Sequence, residues 1–146
     1  MGVIKRFDHV AIAVRSIDNA MSWFVDNLGA TVNQPKTLGM ADEFHWADFM
    51  LGDTKIELVE PIGEGPIHDF IETRGEGLHH LSMEVHNIRE AIQHLESRGI
   101  RIVDVNIENA DGFQYAYISP RSACGTLIQL YELTEPHAPE PSGGER

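Results

Sequence analysis

A single cysteine, Cys124, stands among 146 residues. That excludes an internal disulfide framework and suits a reducing compartment, so a cytoplasmic location is expected. Basic residues are also scarce: 11 lysines and arginines against 23 aspartates and glutamates leave a formal net charge of -12. Nucleic-acid binding needs a basic footprint to neutralise phosphates, and none is visible. Long apolar runs are missing too. The opening MGVIKRFDHVAIAV holds no stretch long enough for a signal peptide or a membrane span.

The composition, with 42% hydrophobic and 23% charged residues, is that of an ordinary globular protein long enough for one domain with a real core. That domain is expected over residues 1–135. Residues 136–146, rich in Pro, Gly and Glu, read as a disordered tail.

An internal repeat organises the chain. DHVAIAVRSIDNAMSWFVDNLGATV, from Asp8, aligns without a gap on HHLSMEVHNIREAIQHLESRGIRIV, from His79, at an offset of 71. Identities fall at His9/His80, Val14/Val85, Ile17/Ile88, Ala20/Ala91 and Val32/Val103. Each copy opens with an apolar strand and continues with a helix cap, Ser16 or Asn87, the latter followed by Glu90 in capping-box spacing. An amphipathic helix follows, carrying Ile17, Ala20, Met21, Phe24 and Leu28 in one copy and Ile88, Ala91, Ile92 and Leu95 in the other. Gly29 and Gly99 signal the stops. The copies close on TKIELVE and TLIQLYE, with FHWADFML and FQYAYIS as further strands. The expected class is α+β: two tandem β-α-β-β-β modules at about 7–62 and 77–133.

Matched polar residues on apolar strands are the candidates for chemistry. The first strands pair His9 with His80, and the last pair Glu57 with Gln129. Two imidazoles, a carboxylate and an amide oxygen suit a divalent metal with open water positions. His80 repeats His9 and is the candidate ligand of the His79–His80 doublet, whereas His79 repeats Asp8 and points the other way. If Gly52-Asp53 forms a two-residue turn, Leu51 pairs with Thr54 and the ladder brings Asp48 opposite Glu57. Asp48 is then a base or a tuner of Glu57. The plainer alternative is an edge-strand aspartate turned to water.

DHVAIAV, GDTKIELVEPIG, PIHDFIETRGEGLHHLSMEV and ISPRSACGTLIQLYE, in this order, resemble the motifs of the vicinal oxygen chelate superfamily, which contains glyoxalase I, methylmalonyl-CoA epimerase and extradiol dioxygenases. Within it the sequence is most similar to the methylmalonyl-CoA epimerases. The resemblance implies a cup-shaped mixed sheet around a metal site. It implies metal ligands at His9, Glu57, His80 and Gln129, a homodimer, and an acyl-CoA thioester as small-molecule substrate. It also implies a metal-dependent epimerase that removes a proton alpha to a carbonyl. Glu57 is the base in that reading, with Asp48 or Glu43 as the partner acid. The metal is one of cobalt, manganese, nickel, zinc and iron. The chain departs from the epimerases in carrying Gln129 where they generally have glutamate. Their acid eleven residues before the hairpin glycine falls here on Ala41, beside Asp42 and Glu43. The alternatives are an Fe(II)-dependent dioxygenase using His9, His80 and Glu57, a glyoxalase I-type lyase, and a non-catalytic small-molecule binder. Loop positions 34–44 and 106–114 are expected to set specificity.

Overall fold

The computed structural model describes residues 2–39, 43–108 and 112–134. The expected tail and Asp42 lie outside them. Two β-α-β-β-β runs follow one another: β1 (Ile4–Ala13), α1 (Ile17–Leu28), β2 (Thr31–Leu38), β3 (Phe44–Leu51) and β4 (Thr54–Pro61), then β5 (Gly77–Val85), α3 (Ile88–Ser97), β6 (Ile102–Asn106), β7 (Phe113–Ile118) and β8 (Ile128–Leu133). Between the runs lies α2 (Pro66–Arg74), opened by a proline at its first turn. The sequence reading had not assigned this helix. No helix among the described residues is long and apolar enough to cross a membrane.

The chain forms two compact units, His9–His79 and Met1–Asp8 with His80–Arg146. In the first, the strand order is β2-β3-β4-β1. Strands β1 and β4 run parallel, with Ala11 level with Glu57, because a helical crossover separates them in sequence. β3 and β4 form the expected hairpin, Leu51 opposite Thr54 and Asp48 opposite Glu57, turning at Gly52 with φ 64. α1 covers one face, where Val14, Ile17, Ala47, Phe49 and Leu58 are buried and Met21, Phe24 and Val25 pack against them. Leu28, expected on that stripe, is 52% exposed, and Val25 takes its place. α2 packs at the end of the other face, where Ile71 joins Ala13 and Val59, with Ile67, Phe70 and Trp46 around them.

The second unit repeats the scheme as β5-β8-β7-β6. β5 and β8 are parallel, and β8–β7 and β7–β6 antiparallel. Its core gathers Val85, Ile88, Ala91, Ala116, Ile118 and Leu130 under α3, with Ile92 and Leu95 packed against them.

The helices are started in the same way. Ser16 Oγ accepts from the Asn19 N–H, and Asn87 Oδ1 from the Glu90 N–H. In addition, the Ile17 N–H donates to Glu60 Oε1 at 2.8 Å and the Ile88 N–H to Glu132 Oε1 at 2.9 Å. These glutamates close the matched TKIELVE and TLIQLYE motifs. Each places a carboxylate at the positive end of the helix dipole and ties that end to the last strand of its module.

Candidate active site

In the first unit, the face turned away from α1 carries polar side chains in register. Ala11 on β1, Glu57 on β4, Asp48 on β3 and Gln34 on β2 are successive cross-strand partners. His9 lies two residues before Ala11 and shares its face. His9, Asp48 and Glu57 are all buried, with 4%, 3% and 8% of their surfaces exposed. His9 Nε2 stands 3.1 Å from Glu57 Oε1. Asp48 Oδ1 accepts from Asn33 Nδ2 at 2.8 Å and from the Gln34 N–H at 3.1 Å. The second bond arises where β2 is irregular between Val32 and Gln34, so a break in the ladder turns a backbone donor onto the carboxylate. The edge-strand alternative, Asp48 turned to water, is thereby corrected. Glu43 is exposed just before β3, its carbonyl accepting from the Ile62 N–H.

The second unit places His80 (8% exposed) and fully buried Ser82 on one face of β5. Ser82 is level with Gln129 on β8, and Gln129 is opposite Tyr117 on β7. Ser82 Oγ donates to Gln129 Oε1 at 2.8 Å, and Gln129 Nε2 donates to the Tyr117 hydroxyl at 3.1 Å. The rings of His80 and Tyr117 meet edge-on, centroids 5.9 Å apart. The next row pairs Glu84 with Tyr131. There Arg6 donates to Glu84 at 2.7 Å and to the Tyr131 hydroxyl at 3.1 Å, and lies 3.0 Å from Asp8. His79 instead meets the Phe70 ring edge-on at 4.9 Å. Burial, and then the nearby charge of Arg74, hold the His79 pKa below the usual imidazole value.

Ser82 and Tyr117 were missed in the sequence. The signal was present in the alignment of FHWADFML with FQYAYIS, which sets Tyr117 where the first module has Asp48. The offset of 71 likewise sets Ser82 on Ala11. Neither looks like a ligand, which is why neither stood out. Of the two expected specificity loops, residues 34–38, 44, 106 and 113–114 are strand, and residues 40–42 and 109–111 lie outside the described residues.

The donor chemistry fits a divalent metal. Two ligands about 2.1 Å from one ion at right angles are about 3 Å apart, the separation of the His9 and Glu57 atoms. The Gln129 oxygen keeps a second lone pair beyond the one used by Ser82. Among the described residues no group of three or more His, Cys, Asp or Glu is gathered as a metal site. The candidates stand as a His–Glu pair in one unit and a His–Gln pair in the other.

Fold, repeat and polar rows define a class: the chain belongs to the glyoxalase/bleomycin resistance protein/dioxygenase superfamily, whose model matches residues 8–117. It is 34% identical over 131 residues to the uncharacterized protein YqjC of Bacillus subtilis (strain 168), covering 88% of this chain and 93% of that one. The ethylmalonyl-CoA/methylmalonyl-CoA epimerase of Cereibacter sphaeroides is 34% identical over 136 residues, covering 90% of this chain and all of its own length. Among solved structures, methylmalonyl-CoA epimerase from Mycobacterium tuberculosis superposes with a TM-score of 0.79 at 26% identity, over 92% of each chain.

Proposed function

We propose that this chain is a metal-dependent epimerase that moves the proton alpha to the carbonyl of an acyl-CoA thioester, working in the cytoplasm as a homodimer. The observation that carries the reading is the buried row of Glu57 opposite Asp48, with His9 Nε2 3.1 Å from Glu57 Oε1. The relatives named as epimerases support it.

In this reading His9, Glu57, His80 and Gln129 would hold the cation, which would supply Lewis-acid polarisation of the substrate carbonyl. The rest is done by the chain. Glu57 is the only carboxylate among the four and, on loosening from the cation, takes the α-proton. Asp48 stands beside it, held at Oδ1 by Asn33 and the Gln34 N–H, and carries or returns a proton. Glu43, exposed at the start of β3, is the other candidate for that step. The apolar contacts of α2 around Trp46 and Val59 keep water from one end of the row.

The test is metal analysis coupled to deuterium exchange into methylmalonyl-CoA. The expected result is retained divalent metal and exchange at the α-carbon. A metal-replete sample without exchange overturns the epimerase. Oxygen uptake by the iron-loaded chain would favour the dioxygenase instead, and dependence on glutathione the lyase. A chain that retains no metal would favour the binder.

A further inference from the structure

Gln129 is gripped at both ends of its amide. Ser82 opposes it on one neighbouring strand and Tyr117 on the other, so the ladders set the spacing that the two hydrogen bonds close. Such a grip answers a specific need. A glutamine side chain has several soft torsions, and its amide has a wrong end: turned over, it shows N–H donors to a cation instead of a carbonyl oxygen. The matching row in the first unit has no such need, because Glu57 is a carboxylate with two equivalent oxygens. In that row Ala11 offers no hydroxyl at the place of Ser82, and Asp48 stands at the place of Tyr117.

We propose that Ser82 and Tyr117 are positioning residues that hold the Gln129 carboxamide with its oxygen toward a divalent cation, Tyr117 also bracing the His80 ring. The inference rests on the metal site of the preceding reading. The Ser82 hydroxyl spends one lone pair of Oε1 and leaves the other for the ion. The Tyr117 hydroxyl accepts from Nε2, so the amide is tied down at both ends. Partners that orient a ligand in this way are worth about 10–100-fold in metal affinity when removed.

Two measurements test it on the full chain. In the metal-free protein, the Gln129 side-chain amide is followed by ¹⁵N NMR, its signals assigned by their loss in Q129E. Tyr117→Phe, which keeps the ring, is expected to shift them and speed their exchange with solvent, as is Ser82→Ala. In Mn²⁺ titrations by calorimetry, Y117F and S82A are each expected to weaken binding about tenfold. Y117F is expected to add nothing in a Q129A background, since it acts through that amide. Unmoved amide signals in Y117F overturn the inference. So does an equal loss of Mn²⁺ affinity with and without Gln129, or wild-type affinity in Y117F. A wild-type chain that takes up no Mn²⁺ overturns the metal reading and this inference together. Uptake that Y117F leaves unchanged overturns the inference alone.

Discussion

Asp48 is a buried carboxylate with its Oδ1 committed to two donors and its strand partner another acid. Burying such a group costs free energy that an apolar residue would not, and in the proposed reaction it carries a proton. Asp48→Asn keeps the shape and removes the proton-carrying group. Turnover is expected to fall roughly 100-fold or more with metal content intact, the usual worth of a positioned acid or base. Equal turnover would reduce Asp48 to a brace for β2. His79 supports a second test. Its pKa is lowered in the folded chain by burial and by Arg74. The unfolded chain therefore takes up a proton first as pH falls through the ordinary imidazole range. Stability from this residue is complete above that range and is lost on acidification toward the lower folded value. The urea midpoint of the metal-free protein is expected to drop between pH 7.5 and 5.5, and to drop less in His79→Gln.

Within the elements, the glutamates at the ends of β4 and β8 unite strand and helix. Glu60→Ala and Glu132→Ala each leave a first-turn N–H without its carboxylate, and each should cost about 1–2 kcal/mol in urea denaturation, in line with loss of an N-cap. Gly29 tests the other helix end. It sits at φ 74 with nothing within 4 Å of an added Cβ, so Gly29→Ala carries only the left-handed backbone penalty of about 1 kcal/mol. Much at this level was legible in the sequence. Helix starts at Ser16 and Asn87, the Gly52 turn and the pairing of Asp48 with Glu57 follow from short-range rules, and the structure has all of them. What was illegible had long-range causes. The low amphipathicity of PIHDFIETR hid α2, whose apolar residues find partners on β1, β3 and β4. The hydrogen bonds of Ser82 and Tyr117 depend on strands that are remote in sequence. Leu28 kept the helical period but is exposed as the last residue of α1.

For the molecule as a whole, a cation that binds only the folded chain must raise its stability. At a free concentration a hundred times the dissociation constant the gain is about 2.7 kcal/mol, and a chelator should remove it. His9→Ala or His80→Ala should abolish that metal-dependent gain in thermal melts, while also lowering the metal-free transition, since each removes a buried ring. The two modules share a backbone plan but not a chemistry. One register position holds Asp48 in the first and Tyr117 in the second; another holds Ala11 and Ser82. The two modules are thus two drafts of one passage, alike in backbone and different in side chains. One draft settled on negative charge and the other on a neutral amide fastened by hydroxyls, so rebuilding either in the image of the other should cost more than any single change within it.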